Sequence, residues 1–335
     1  MAKPFPIELV DLHIHMGASV APHILWAIAH SQGYKLPVRD FWEFRDMVTA
    51  SPDKVNSLES YLKILHEVTE KIQSSPMAVE RSVYEIIGKE YRGSNVTRIE
   101  LRFNPMKRNQ GGDRDLDHII NAALRGMDLA CLEYGVKAGL IFCLAREFSP
   151  ELNEIILRKA IRYRDRGVVG IDLAGTEKDA VELREDEVAR YAEMYAEARA
   201  AGLKTTVHTG ETRHTSGEGV EAAVALLKPH RIGHGIRAAY SESAMKALVE
   251  AGTVLEICPS SNLQTQAVES LDELHEILRI FRDRKVQYTI NTDGTYLLGT
   301  DMRREMGLLL DGGLLDEQEM RRCIDTAVQA SFISG

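Results

Sequence analysis

Polar side chains that could do chemistry stand where several apolar, β-branched runs of the sequence end. His13 and His15 end the first run, His208 ends a later one, and His234 and Asp293 lie at the ends of two more. Imidazole and carboxylate ligands without a thiolate suit zinc or a similar divalent ion, with one position left open for water. Each residue alone is more typical of a structural side chain, but their repetition at run ends predicts one metal-dependent site.

The spacing of these residues fits strand ends. Alternation along a strand places His13 and His15 on the same face, where both can reach one ion. Glu211 follows His208 by three residues and is a candidate proton carrier beside that ligand. A histidine and a glutamate in an isolated loop are usually just solvated, so the pair has meaning because other segments converge on it.

Eight short apolar or β-branched runs are predicted to be strands. They are Ile7 to His15, Val96 to Phe103, Val136 to Leu144, Val168 to Leu173, Leu203 to Val207, Arg231 to His234, Thr253 to Cys258, and Val286 to Thr292. The amphipathic segments between them are predicted helices at Leu116 to Glu133, Pro150 to Arg164, Glu185 to Ala200, Ser241 to Glu250, and Leu271 to Arg282. Strands that alternate with helices form parallel βαβ units, and eight such units predict an α/β fold of the (β/α)8 TIM-barrel type.

One long helical stretch, from about residue 22 to residue 91, exceeds what a single crossover needs. We expect it to add helices over the carboxyl-terminal mouth of the barrel, as an inserted lid region. Its aromatic residues are expected to be apolar packing material: Trp26, Phe41, Trp42 and Phe44. The chain shows no internal repeat and no Pro/Gly/Ser-rich linker, so residues 1–335 are predicted to form a single domain.

Composition favours a small-molecule enzyme. The chain has 335 residues, 44% of them hydrophobic and 27% charged, and its formal net charge of −9 argues against nucleic acid as a partner. No run approaches the length of a membrane span, and the stretch Met1 to Pro6 is too short for a signal peptide, so we expect a cytoplasmic protein with no membrane partner. Four scattered cysteines suggest neither a disulfide framework nor a zinc knuckle, and the sequence does not predict the oligomeric state.

The motifs at the strand ends resemble those of the adenosine deaminase family of the amidohydrolase superfamily. They occur in the family's order along essentially the whole chain. These motifs are DLHIH at 11–15, RIELRFNP at 98–105, VVGIDLAGTE at 168–177, VHTGE at 207–211, RIGHG at 231–235, CPSSN at 258–262 and NTDG at 291–294.

The resemblance implies a zinc-dependent hydrolytic deaminase that converts the 6-amino group of an adenine-containing compound to a 6-oxo group and releases ammonia. Glu211 would donate a proton to ring nitrogen N1, His234 would orient the attacking hydroxide, and Gly175 would offer its N–H to ring nitrogen N3. No lysine ends strand four before Lys178, as two-metal relatives require, so one Zn²⁺ per chain is expected. The implied zinc ligands are His13, His15, His208 and Asp293, the last of which also belongs to the catalytic set.

Two positions depart from the family pattern on the substrate side. Gly17 stands where a carboxylate would meet a ribose hydroxyl, and Gly294 stands where a second aspartate would accept a hydrogen bond at ring nitrogen N7. The metal-binding and proton-transfer residues of the family pattern are present, but two acceptors for the substrate are missing, which suggests a substrate other than plain adenosine. The loss of these acidic groups would also relieve repulsion toward an anionic substituent.

Other strand-end side chains could contact such a ligand. Ser261 and Asn262 could hold the ring or ribose, or simply cap the turn after strand seven. Four arginines could meet a phosphate or a carboxylate, although any one of them is more typical of a rim charge or a barrel salt bridge. They are Arg108, Arg146, Arg213 and Arg237.

Two further functions remain open from the sequence. The same metal chemistry could hydrolyse a C–N or ester bond of a non-purine substrate. A catalytically inactive relative could bind a nucleoside or nucleotide as a sensor. The presence of both Glu211 and His234 argues against the inactive relative, because a binding protein does not need two proton-handling groups.

Overall fold

The eight strands form one parallel sheet in which each strand pairs with the next along the chain. The computed structural model describes residues 8–51, 53–110 and 115–333. The strands are β1 Leu9–His15, β2 Val96–Phe103, β3 Lys137–Ala145, β4 Val168–Ala174, β5 Lys204–Thr209, β6 Arg231–His234, β7 Val254–Ile257 and β8 Tyr288–Ile290. The predicted strands are all present, and the residue predicted to begin the first, Ile7, lies outside the described residues.

The sheet closes into a barrel where β1 meets the chain just after β8. The backbone N–H of His15 donates to the carbonyl of Asp293, and the N–H of Asp293 donates to the carbonyl of His13, both at 2.7 Å. Ile14 and Asp293 form the parallel bridge between the two segments. This closure confirms the predicted (β/α)8 barrel and brings the ends of β1 and β8 together at the mouth.

Helices surround the barrel. They are α1 Pro22–Ser31, α2 Phe41–Met47, α3 Leu58–Ile64, α4 Glu70–Ile72, α5 Pro76–Ser94, α6 Asp117–Tyr134, α7 Pro150–Tyr163, α8 Glu185–Ala200, α9 Ser216–Ala222, α10 Glu242–Ala251, α11 Pro259–Gln264, α12 Leu271–Asp283, α13 Met302–Asp311 and α14 Glu317–Ala330. The five helices predicted between strands, now α6, α7, α8, α10 and α12, begin and end within one residue of the prediction. None of the helices in the described part of the chain has both the length and the apolarity that a membrane crossing needs.

The segment between β1 and β2 has two parts. A π-helical turn at Leu65–Thr69 joins α3 to α4, and this unit reaches over the barrel mouth, where Tyr61 and Leu65 are buried. In contrast, α5 packs along α6 and β2 in the outer ring, as a crossover helix does.

The aromatic residues of α1 and α2 do not all pack as predicted. Phe44 is fully buried, but Trp42 is 63% exposed, so its prediction as packing material was wrong. Residues two apart on a helix point to nearly opposite sides, and burial of Phe44 therefore turns Trp42 toward solvent.

Candidate active site

The four predicted metal ligands converge at the barrel mouth. The Nε2 atoms of His15 and His208 are 3.1 Å apart. His13, His15 and His208 each present a ring nitrogen within 4.8 Å of the others. Asp293 Oδ1 lies 3.6 Å from His15 Nε2 and 3.8 Å from His13 Nε2. Side chains from β1, β5 and the segment after β8 thus face one small volume.

The donor set of this cluster fits a divalent cation. His13 Nδ1 lies 2.8 Å from Glu256 Oε2, and His208 Nδ1 lies 3.0 Å from Asp172 Oδ2. A carboxylate at Nδ1 makes that nitrogen the donor and leaves the lone pair on Nε2. His13 Nε2 is buried and has no hydrogen-bond partner within the described residues. Burial, together with nearby positive charge, lowers the pKa of His13 and His15 well below the usual range, so both imidazoles are neutral and able to bind metal.

A second group of possible ligands is formed by His13, His234 and Cys258. Burial raises the pKa of the Cys258 thiol well above its usual value, and the Asp293 carboxylate adds to this effect. The thiol also lies 3.6 Å from the backbone carbonyl of Glu256. Because the thiolate is the form that binds metal, the all-imidazole group with Asp293 is the better candidate.

A buried ionic network inside the barrel supports the imidazoles. Arg102 donates to Asp172 at 3.0 Å and to Glu256 at 2.8 Å, and Arg231 donates to Glu256 and Glu100 at 2.6 Å each. All five side chains are at most 1% exposed. Burial opposes ionisation of Glu256, but Arg102 and Arg231 lower its pKa to about 2. Through Glu256 and Asp172, the network orients the imidazoles of His13 and His208.

Sequence reasoning missed this network. Its signal was the presence of Glu100, Arg102, Asp172, Arg231 and Glu256 inside otherwise apolar strand runs. A parallel strand in a barrel is buried on both faces, so a charged residue in its middle must have buried partners.

Glu211 lies at the mouth, beside the imidazole cluster. Its Oε2 is 3.6 Å from His234 Nε2, and its Oε1 is buried without a partner among the described residues. Burial raises the pKa of Glu211 well above its usual value, with Glu177 and Asp293 adding to the rise and Arg146 opposing it. The raised pKa favours the protonated form of the carboxyl group, which is the form that can donate a proton.

Glu177 holds the loop that carries Glu211. This carboxylate, which the sequence reasoning did not single out, accepts the backbone N–H of Glu211 at 3.0 Å and that of Thr212 at 2.6 Å. Glu177 is 2% exposed and follows β4. The turn after β4 therefore positions Glu211, which follows β5.

Two site residues adopt left-handed backbone conformations, with φ of 59° at His234 and 61° at Asp293. Such a conformation costs roughly 1–2 kcal/mol for a residue with a Cβ. Asn262 Nδ2 donates to His234 Nδ1 at 3.0 Å, and Ser261 Oγ donates to Asp293 Oδ2 at 2.6 Å. Ser261 and Asn262, predicted as substrate contacts, therefore hold two catalytic candidates in place.

The three glycines predicted on the substrate side lie around the mouth. Gly175 has a φ of 117°, and it lines a cavity together with Gly17. A Cβ placed at Gly294 would be only 2.5 Å from the Tyr61 hydroxyl oxygen. Tyr61 of α3 thus occupies the space beside Gly294.

The four candidate arginines have different surroundings. Arg146 is buried and donates to Glu182 at 2.9 Å, and Arg237 is buried and donates to the carbonyl of Ala267. The Arg213 side chain is 77% exposed and pairs with Glu269 on the rim. Arg108 is 1% exposed and lines the cavity beside Gly17. Of the four, Arg108 therefore has the position that suits a substrate contact.

Comparison with known proteins identifies the family of this chain. The family model for adenosine deaminase matches residues 8–335. An adenosine deaminase of Vibrio vulnificus is 31% identical over 330 residues, which cover 98% of this chain and 96% of the relative.

Solved structures share the fold. An N6-mAMP deaminase of Arabidopsis superposes with a TM-score of 0.82 at 23% identity, over 98% of this chain and 93% of the other. An amidohydrolase of Burkholderia ambifaria, solved with bound Zn, superposes with a TM-score of 0.80 at 20% identity, over 98% and 86% of the two chains. This chain belongs to the adenosine deaminase family and is a hydrolase that acts on C–N bonds in cyclic amidines.

Proposed function

We propose that this protein is a zinc-dependent deaminase that releases ammonia from the 6-amino position of an adenine-containing nucleoside, nucleotide or derivative. The observation that carries the proposal is the buried Glu211, whose pKa is raised, beside His234 and the cluster of imidazoles from His13, His15 and His208. Removing an amino group from an aromatic ring requires a proton for the ring and an activated water on the same side of the substrate. The site offers groups for both.

We propose His13, His15, His208 and Asp293 as the ligands of one Zn²⁺ per chain. Their imidazole nitrogens and the carboxylate of Asp293 form a donor set that suits zinc. When bound, the ion lowers the pKa of a water molecule toward about 7, which supplies the nucleophile at neutral pH. The bound Zn in the Burkholderia ambifaria structure supports this choice of metal.

The protein's own groups supply the remaining steps. Glu211 donates its proton to ring nitrogen N1 as the ring loses aromaticity. His234 accepts from Asn262 at Nδ1, which leaves its Nε2–H to face the site and orient the attacking oxygen. The N–H of Gly175 binds ring nitrogen N3, at a turn that only glycine adopts without strain.

A panel of substrates tests the proposal. Ammonia release is measured with adenosine, deoxyadenosine, adenine, AMP, cyclic AMP, a methylated adenine, and nucleosides extended at the 5′ position by a thio or carboxyl group. We expect release from at least one aminopurine, and its loss in the Glu211→Gln variant with metal content unchanged. No ammonia from any aminopurine, with bound metal confirmed, would refute the deaminase.

The panel distinguishes the deaminase from both alternatives, and binding of the 6-oxo products distinguishes the alternatives from each other. A hydrolase of a non-purine C–N or ester bond would retain metal and fail on every aminopurine, and an inactive binding relative would bind the products without turnover. We also propose that residues 1–335 act as one domain in the cytoplasm, on a small-molecule substrate.

A further inference from the structure

A small cavity adjoins the candidate metal site on the side of β2. Its volume is about 50 Å³, and its lining includes His15, Gly17, Asn104, Arg108 and Gly175. A water molecule needs roughly 10–15 Å³ by this measure, so the cavity has room for a few oxygen-sized atoms. His15 and Gly175 connect it directly to the place where we propose that the substrate reacts.

Several hydrogen-bond donors that line the cavity have no acceptor among the described residues. Arg108 is 1% exposed; its Nη2 pairs with Glu70 at 2.9 Å, but Nε and Nη1 have no partner among the described residues. Asn104 is 5% exposed; its Oδ1 accepts the backbone N–H of Lys107 at 3.0 Å, and its Nδ2 likewise has no partner. Buried donors without acceptors are costly, so these side chains are arranged for a group that brings acceptors.

Glycine at position 17 keeps the guanidinium accessible from the reaction site. A Cβ at Gly17 would lie 3.0 Å from Arg108 Nη2, so an acidic side chain there would cover and neutralise the guanidinium. Lys107, whose Nζ pairs with Glu147, adds a further cation to the lining. Among the described residues of the lining, Glu70 is the acidic one, and it occupies one nitrogen of Arg108.

We infer that this cavity, the Arg108 pocket, binds an anionic oxygen-bearing group of the substrate, a phosphate or a carboxylate carried on the sugar. The inference rests on the proposed function, because it assigns the substrate class of the same site. Arg108 supplies a permanent charge, and Asn104 supplies a neutral donor beside it. Hydrogen bonds from such groups to an anionic oxygen are stronger than those to a neutral hydroxyl.

Binding of 6-oxo product analogues tests the inference without turnover. Isothermal titration calorimetry on the metal-loaded protein compares inosine, inosine 5′-monophosphate and inosine 5′-carboxylate. We expect one of the two anions to bind at least about 10-fold more tightly than inosine, since a hydrogen bond to a charged group contributes at this level. The anion that binds more tightly identifies the source of the charge.

Variants then locate the preference. The double variant Glu70→Gln/Arg108→Met removes the ion pair as a unit and avoids a buried unpaired charge, and Asn104→Asp adds a negative charge with little change in volume. Each is expected to reduce the preference for the anion to about 2-fold or less, with inosine affinity retained. Arg213→Met, on the exposed rim, is the matched control and is expected to keep the preference.

Three results would overturn the inference: equal wild-type affinity for inosine and both anions, no binding of any of the three, or a loss of preference in Arg213→Met but not in the pocket variants. Failure of the proposed deaminase would appear separately, as absence of ammonia from the whole substrate panel. Deamination of adenosine with no preference for an anion would remove this inference alone.

Discussion

Replacing Glu256 by glutamine is expected to weaken metal binding through His13, although no candidate ligand is itself replaced. One carboxylate oxygen accepts from His13 Nδ1 and Arg102, both at 2.8 Å, and the other accepts from Arg231 at 2.6 Å. Glutamine has one acceptor and one donor in place of two acceptors. Whichever way the amide turns, its NH₂ group faces a nitrogen that was donating.

The imidazole can relieve that conflict by changing its tautomer. His13 would then accept at Nδ1 and carry its proton on Nε2, the atom that must be free for metal. Binding would have to reverse this change, and loss of such a supporting carboxylate typically costs about 10- to 100-fold in metal affinity. This range corresponds to about 1.4–2.8 kcal/mol. The network contains three carboxyl groups and two guanidiniums. After the substitution, two carboxylates and two guanidiniums remain, so no guanidinium is left without an acidic partner.

Competition with a zinc-binding dye, at fixed pH, would measure the dissociation constants of the wild type and the variant. Glu100→Gln is the matched control, because Glu100 pairs with Arg231 in the same network but contacts none of the candidate ligands. We expect the zinc dissociation constant of Glu100→Gln to stay within about 3-fold of the wild-type value, a much smaller change than that expected for Glu256→Gln. An unchanged dissociation constant in Glu256→Gln, or equal losses in the two variants, would refute the tautomer argument.

Three further predictions concern the mouth of the barrel. Glu211→Gln should reduce kcat by roughly 10²- to 10⁴-fold. Because burial raises the pKa of Glu211 and the protonated form acts, wild-type kcat should fall as pH rises through that pKa, and a pH–rate profile of the residual activity in the variant should lack this decline. Ser261→Ala should release Asp293 Oδ2 and lower stability by about 1.5–3 kcal/mol, measured by urea unfolding of the metal-free protein; a smaller loss after the conservative Ser261→Thr change would show that the hydroxyl is responsible. Gly294→Ala places a methyl group 2.5 Å from the Tyr61 hydroxyl oxygen and should cost about 1–3 kcal/mol in the same assay, with partial recovery when Tyr61→Phe is added; full stability of Gly294→Ala would contradict the contact.

The barrel and the convergence of strand-end residues could be predicted from local pattern, whereas the choice of four of them as zinc ligands came from the resemblance to the family. Each strand is a short apolar run, and His13, His15, His208 and Asp293 stand at or next to the ends of such runs. In a parallel barrel all these ends lie at one rim, so strand position alone predicts that distant residues meet.

The supporting contacts could not be predicted, because they depend on which side chains meet across the interior. Nothing in the local sequence pairs Glu256 with His13, or Asp172 with His208. Similarly, the helix pattern near residue 61 does not reveal that Tyr61 lies against Gly294. These partners are determined by the path of the segment between β1 and β2 and by the register of the barrel.

The seam of the barrel has a consequence for how the chain folds. Among the described residues, the backbone ladder between the first and last strands is reduced to the bridge of Ile14 with Asp293, which are separated by most of the chain. Contacts of such long sequence separation form late, because a large loop must be closed before they contribute. Asp293 therefore reaches the histidines only when the barrel is closed. A metal ion bound by Asp293 and the three histidines would stabilise the closed barrel. At a concentration 100-fold above its dissociation constant, such an ion would add about 2.7 kcal/mol to the stability of the closed form.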